Sequence, residues 1–539
     1  MKMKKTLLHP RSLVFGFMTS LFLLTSYPGY SQGMGEGDMV TIGILLILGV
    51  LVVGVVVIAS SNAAYATALS GKTRTRTVEE VVGEESELRQ HFEIKRGLNI
   101  LLKGESDPGV VDVHTSRYAV LPINFNNILP IPKILVEEGA EVLAGQPIFF
   151  DKKHPNVFFV SPVSGEMAGI VRGPKRAIHQ VVILADREIK YKDLEAPDLA
   201  TADRATIRKF LKENGGWPLF RQRPFNILPD SEGDPRDIFI SSFDSSPLAG
   251  DMNIKIDGRY DAMQKGIDVL NRLTDGKVYM GLDGRNNAVI PAELSNLKGV
   301  EKHYFGGLHP CGNVGIQINH IAPIRKGDTV WTIGVQELIT LGGMFLEGRY
   351  DAARVINVAG NGALEPRYVR TLAGADLSEI IPQEFSDPAI RVISGNVLTG
   401  QKKDENPFLN YYDHQVTVIP EGDHYEMFGW LIPQTMRPSA SQTFPNFLFK
   451  DMKFNVDTNT HGERRAFVMS GQYEEVLPVD TFPMQLFKAI LTKDIDRMEG
   501  LGIYELVEED VALCEFVCTS KQPLQAILRQ GLDYMHSEA

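Results

Sequence analysis

VEEGAEVLAGQPIFFDKKHPNVFFVSPVSGEMAGIV, from Val136 to Val171, decides how this chain is read. Short apolar runs (Val142, Ile148 to Phe150, Val157 to Val160, Ile170-Val171) alternate with turn residues. Gly139, Gly145-Gln146-Pro147, His154-Pro155-Asn156 and Ser164-Gly165 cut the runs apart. Branched and aromatic runs punctuated in this way read as short strands. Strands this brief, spaced about ten residues apart, predict a small flattened barrel or sandwich. What lies upstream reads as a tether for this unit, and what lies downstream as further domains.

The bounds come from length and composition. A chain of 539 residues exceeds one core and predicts two to four domains. Hydrophobic content of 43% and charged content of 23% are those of a folded protein. A net charge of -12 excludes a nucleic-acid reader, which needs a basic stripe to neutralise phosphates. Three cysteines, Cys311, Cys514 and Cys518, are too few for a disulfide framework and fit a reducing compartment.

Two apolar segments open the chain. Residues 1–31 have a basic start (Lys2, Lys4, Lys5, Arg11), an uncharged run from Ser12 to Leu24, and small or turn residues up to Ser31. That is the shape of a signal peptide, or of a first membrane segment. Residues 40–59, VTIGILLILGVLVVGVVVIA, hold no charge and no proline, so they predict a transmembrane helix. Lys72, Arg74 and Arg76 follow the span, which predicts that the bulk of the chain lies on the cytoplasmic side of a membrane. Residues 60–90 read as a juxtamembrane linker. Within it, Ala66 to Thr73 approaches a P-loop but has Ala where the first Gly belongs and lacks a preceding strand.

Further on, Asp237 to Phe243, Lys277 to Leu282 and Gly299 to Phe305 read as strands. Arg259 to Thr274 reads as a helix with Met263, Ile267, Leu270 and Leu273 on one face. Strand, helix and strand with short connections predict an open α/β layer. Neither Gly276-Lys277 nor Gly360-Asn361-Gly362 has the context of a phosphate-binding turn, and the latter reads as a hairpin turn after ARVINVA. The loop Gly306-Gly307-Leu308-His309-Pro310-Cys311-Gly312 is the richest in the chain. Gly306, Gly307, His309 and Gly312 are its candidate ligand or interface residues, set against a purely structural loop packed tightly by its glycines. One His and one Cys make no metal site, and His320 reads as a core or interface histidine. Cys514 and Cys518, one helical turn apart, read as buried structural thiols, because an iron–sulfur cluster takes four cysteines. Helices near Phe482 to Met498 and Gln522 to Met535 carry apolar faces suited to a neighbouring domain or subunit. No catalytic residues are assigned.

Two resemblances follow from these residues. The run from Val136 to Gly165 resembles biotinyl- and lipoyl-like domains, which carry a modified lysine at a hairpin tip. Lys152 and Lys153 lie between its two halves, but Asp151-Lys-Lys-His-Pro155 leads into an extended run instead of a tight symmetric hairpin. A more specific likeness is to the A subunit of the sodium-translocating NADH:quinone oxidoreductases. It rests on Phe149 to Ile183, Leu273 to Gly281, Gly306 to Ile321, Gly327 to Gly360, Arg391 to Gly400, Leu477 to Leu491 and Glu508 to Cys518, in order. The likeness runs from about His91 to the C-terminus. The membrane segments before it depart from the family pattern, in which the protein begins near the equivalent of Phe92 to Gly97 and is peripheral.

The resemblance implies a multidomain α/β chain. A barrel-sandwich hybrid (91–190) is followed by a Rossmann-like α/β domain (191–325), a β-grasp, SLBB-like unit (326–400) and a C-terminal region with helices (401–539). The α/β domain would be related to the flavin-carrying, NADH-binding component of complex I. The resemblance also implies membership of a complex that oxidises NADH, reduces ubiquinone or menaquinone and exports sodium. Its partners would be five other subunits, the B subunit in particular, together with quinone and membrane lipid. Flavins and the iron–sulfur centre would sit in those other subunits, and this chain would hold no covalent cofactor and no metal. The rival reading is a membrane-tethered carrier or adaptor with a modified lysine on the sandwich domain.

Overall fold

The computed structural model describes residues 91–286, 288–381, 390–403, 407–426, 437–440 and 451–538. The expected signal-like segment, the span at 40–59, the linker and the near-P-loop lie outside the described residues. Among the described residues no helix is long and apolar enough to cross a membrane.

The stretch from Val136 to Val171 folds as its punctuation predicts. Strands Arg117–Val120, Ile178–Ala185, Gly165–Arg172 and Glu141–Val142 form one antiparallel sheet. Lys133–Ile134, Pro147–Asp151 and His154–Val160 form the facing one. Ile148, Phe149, Val157, Val163, Met167, Val181 and Ile183 are fully buried between them, and each such side chain contributes about 1.5–3 kcal/mol. Phe149 and Phe159 stack with centroids 4.6 Å apart. Gly165 takes φ +147, and a Cβ there would stand 1.8 Å from the Leu184 carbonyl oxygen, so only glycine lets the strands close. Lys152 and Lys153 form a two-residue turn, since Asp151 pairs with His154. This corrects the expectation that no tight hairpin stands there.

A six-stranded sheet forms the α/β layer. Its order is His91–Ile94, Glu301–Gly307, Val278–Asp283, Asp237–Ser241, Val330–Gly334 and Phe220–Arg223. The first five run parallel, and the last is antiparallel. The central strands are almost wholly apolar because helices cover both faces. On helix Tyr260–Leu273, the predicted face of Met263, Ile267, Leu270 and Leu273 is fully buried.

Two expectations shift here. His91–Ile94, read as the start of the sandwich domain, is an edge strand of the α/β sheet, pairing His91 with Tyr304 and Ile94 with Gly307. Strand Val330–Gly334 and helix Val335–Leu346 also belong to this layer, beyond the boundary drawn at 325. A parallel strand's partner is far away in sequence, so local pattern does not reveal it.

The second six-stranded sheet has the order Gln401–Lys402, Ile390–Ser394, Gln415–Pro420, Ala353–Ala359, Arg367–Leu372 and Asp107–Asp112. Ala353–Ala359 and Arg367–Leu372 are antiparallel, so Gly360 to Gly362 opens a hairpin connection as expected. This sheet extends to Pro420, past the expected limit of 400.

The C-terminal region contains helices Pro483–Thr492, Ala512–Val517 and Leu524–Glu538. Their apolar faces are mostly taken up within the chain, while Phe482 and Leu491 stay exposed. Leu486, Ile490, Leu524, Leu528 and Leu532 are buried in one core with Ile94, Phe305 and Cys311 of the α/β layer.

Candidate ligand-binding site

A cleft of about 690 Å³ opens at the C-terminal ends of strands Asp237–Ser241 and Val278–Asp283. This is where open α/β sheets hold ligands, because the loops leaving neighbouring parallel strands splay apart there. The loop from Ser242 to Met252 forms one wall and Asp283 to Ile290 the other, with Ile100 to Leu102 and Tyr368 closing the sides. Phe243, Leu248, Met252 and Ile290 give it apolar surface, while Glu105, Asp244, Asp251, Asp283 and Arg285 give it charge.

The charges are largely engaged. Arg285 forms an ion pair with Asp283 at 2.6 Å, and its guanidinium lies 5.5 Å from the Phe243 ring centroid. Asp244 accepts from the Ser246 backbone N–H at 2.7 Å and from the Ser246 hydroxyl at 3.0 Å. Asp251 caps the short helix Met252–Ile256 by accepting from the Asn253 N–H at 2.9 Å. The Asp251 backbone N–H donates to the Tyr368 hydroxyl at 2.6 Å, so that hydroxyl keeps its own proton to offer. Burial raises the Tyr368 pKa, which keeps it a donor.

The loop singled out in the sequence stands behind this wall. His309 Nδ1 is 2.9 Å from the Ser245 hydroxyl, which accepts the Gly312 N–H at 2.8 Å and therefore donates to His309. The His309 backbone N–H donates to Asn99 Oδ1 at 2.8 Å. Burial lowers the His309 pKa to about 4, with nearby carboxylates opposing, so the imidazole is neutral and its Nδ1 accepts. Gly306 and Gly307 pack against the N-terminal strand. A Cβ at Gly306 would stand 2.7 Å from Glu93 Oε2, and one at Gly307 would stand 2.1 Å from the Ile94 carbonyl oxygen, with φ +95. The structure thus brings His309 and Gly312 together on Ser245. None of the four predicted residues lines the cleft.

The residues that do line it were missed in the sequence. Their signal is SSFDSSPLAGD, Ser241 to Asp251, a Ser- and Asp-rich loop directly after a buried strand.

Elsewhere, burial pushes the Cys311 thiol up to about 11, so it stays protonated and unreactive. Cys514 and Cys518 are buried, and the Cys518 sulfur lies 2.9 Å from the Tyr473 hydroxyl. His320 Nδ1 donates to the Ile316 carbonyl at 2.8 Å, beside Phe92. Among the described residues no three His, Cys, Asp or Glu side chains are grouped as a metal would need.

Fold and cleft define a multidomain α/β protein in which a barrel-sandwich hybrid, an α/β layer and a β-rich unit share one body. Family models match those parts in turn. The NqrA N-terminal barrel-sandwich hybrid domain matches residues 92–186, the NqrA second alpha/beta domain 202–350 and the NQRA C-terminal domain 355–405. The chain is 37% identical over 449 residues to the A subunit of the Na(+)-translocating NADH-quinone reductase of Vibrio atlanticus (strain LGP32), covering 83% of this chain and 99% of that one. It is 38% identical over 450 residues to the corresponding protein of Vibrio anguillarum, again covering 83% and 99%. It is 37% identical over 451 residues to that of Neisseria meningitidis serogroup B (strain ATCC BAA-335 / MC58), covering 83% and 100%. The chain belongs to the NqrA family, the A subunits of the Na(+)-translocating NADH-quinone reductases. A crystal structure of an NAD+-reducing [NiFe]-hydrogenase overlaps 64% of this chain and 62% of its own at 12% identity, with a TM-score of 0.35, too slight a likeness to bear on function.

Proposed function

We propose that this chain is the NqrA component of a membrane complex that oxidises NADH, reduces ubiquinone or menaquinone and exports sodium ions. Its own part is to bind the quinone and to dock on the B subunit at the cytoplasmic face. The flavins and the iron–sulfur centre belong to the other five subunits. The observation that carries this reading is the identity of 37% along 99% of the Vibrio atlanticus protein.

The charge of the cleft supports a quinone over a dinucleotide. Glu105, Asp244, Asp251 and Asp283 line the cleft with Arg285, which Asp283 already neutralises, while Glu105 is paired with Lys453 at 2.6 Å. A pyrophosphate would meet repulsion there, and the N-terminus of helix Met252–Ile256 beside it is already capped by Asp251. A quinone carries no charge. Its ring suits Phe243, Leu248 and Met252, and its carbonyl oxygens need donors such as Tyr368 and Arg285 offer.

Purification from native membranes by a tag on this chain tests the reading. The expected result is recovery of five further subunits with sodium-stimulated NADH:quinone activity. The isolated chain should bind a quinone analogue and leave NADH unbound. Recovery of the chain alone, or micromolar affinity for NADH, would overturn it. The two-residue turn Lys152–Lys153 favours a second reading, a carrier or adaptor with a modified lysine. An added biotinyl or lipoyl mass on that peptide would establish it.

A further inference from the structure

We propose that one end of the barrel-sandwich unit is a docking face for an anionic lipid surface. Two hairpin tips build it. The first is the turn Lys152–Lys153, and the second connects Gly165–Arg172 to Ile178–Ala185 through Lys175 and Arg176. Residues 127 to 130 fasten the two together. The Leu129 N–H donates to Asp151 Oδ1 at 3.1 Å, Lys153 Nζ donates to Asn127 Oδ1 at 3.4 Å, and the Ile178 N–H donates to the Pro130 carbonyl at 2.8 Å. Lys133 joins the same end, because it pairs with Phe150 beside the first tip.

Lys133, Lys152, Lys153, Arg172, Lys175 and Arg176 therefore share one end of the unit, and all six are exposed. None is in an ion pair among the described residues; Lys153 meets a neutral amide, and Arg172 lies 3.4 Å from the Arg176 carbonyl. Such a concentration of free cations runs against the net charge of -12. Two nearby carboxylates are engaged elsewhere. Glu138 is held by the Ile170 N–H at 3.0 Å, and Asp151 is buried beneath the first turn.

A second observation selects lipid over an acidic protein. Ile131 and Val171 stand among these cations and are 37% and 46% exposed. An acidic patch accounts for the cations and not for the two aliphatic side chains among them. The headgroup layer of an anionic membrane takes both, with aliphatic side chains at the acyl boundary and ammonium or guanidinium groups among the phosphates. This inference does not depend on the quinone reading.

The test places an environment-sensitive fluorophore at Val171→Cys in the full chain, whose three native cysteines are buried. The labelled chain is reconstituted on phosphatidylcholine vesicles with and without phosphatidylglycerol. Any anchor elsewhere holds the chain on both kinds of vesicle, so the readout is the label's depth and not attachment. Quenching by doxyl-labelled lipid should be at least about twofold stronger on the anionic vesicles and should fade in high salt. Lys152→Glu with Lys175→Glu and Arg176→Glu should abolish the difference. Lys175→Gln with Arg176→Gln should halve it, and serves should the reversals unfold the unit. Equal quenching on both vesicles, or quenching indifferent to these substitutions, would overturn the proposal. So would a label shielded from an aqueous quencher only when the other subunits are present, which would give the face to a protein.

Discussion

Asp510 is a buried carboxylate between the C-terminal helices and the edge strand Phe220–Arg223. Its Oδ2 accepts the Val507 N–H at 3.0 Å and lies 3.4 Å from an Arg223 nitrogen, whose guanidinium also binds Glu509 at 2.7 Å. Burial outweighs the attraction of Arg223 and raises the Asp510 pKa to about 7. The folded state therefore binds this proton more tightly than the unfolded chain does. The group's contribution to stability is full below about pH 4 and declines as pH rises toward 7. Asp510→Asn keeps an acceptor for Val507 and removes the titration. The gap in Tm between this variant and the parent should move in the variant's favour from pH 5 to pH 8; a constant gap in thermal scans would count against this. His309 teaches a related lesson at the same scale. A histidine between glycines advertises itself in sequence, yet its neutral ring serves Ser245 behind the cleft wall. Whether a histidine points at a ligand or at a neighbouring loop depends on what folds against it.

Among the elements, the contact between helices Tyr260–Leu273 and Val335–Leu346 supports the α/β layer most closely. Gly342 sits where a Cβ would stand 1.7 Å from the Ala262 carbonyl oxygen and 2.8 Å from the Gly266 nitrogen. Its neighbour Gly343 has nothing within 4 Å of the same position. Gly342→Ala should cost about 3 kcal/mol in denaturant unfolding, since the helices must part. Gly343→Ala should be neutral or stabilising by up to about 1 kcal/mol, because alanine is the better helix former. Similar losses for both would show that the helices are not packed backbone to backbone. The 3.6-residue spacing of Met263, Ile267, Leu270 and Leu273 already marked the first helix and its buried face in sequence. The second helix is buried on nearly every side, Gln336, Glu337 and Thr340 included, so its period could not say which face met which neighbour.

At the scale of the whole molecule, the chain threads its parts before it completes them. His91–Ile94 enters the α/β sheet and Asp107–Asp112 enters the second sheet, and only then does the barrel begin. Phe92 stacks on Phe305 with centroids 5.0 Å apart, tying the first strand to the layer's edge. A chain truncated to begin at Gly97 should keep its barrel and loosen the α/β edge. Hydrogen exchange should show Glu301–Gly307 amides opening at least about tenfold faster, with Ile178–Ala185 amides unchanged. Faster exchange in the barrel instead would place the first strand there, as the sequence alone suggested.

The sequence by itself determined the local elements and the family. Alternation and turn residues marked the sandwich strands, and helical spacing marked the buried face of Tyr260–Leu273. Seven ordered segments carried the family likeness that relatives then bore out. These are short-range signals, written in residues a few positions apart. Tertiary structure alone decided that His91–Ile94 pairs with Glu301–Gly307, that Val330–Gly334 completes the α/β sheet, and that Ser241 to Asp251 walls a cleft. It also turned two separate lysine and arginine turns into one basic face. Each of these joins residues tens to hundreds of positions apart, and hydrophobic period says that a segment is a strand without saying which strand it will meet.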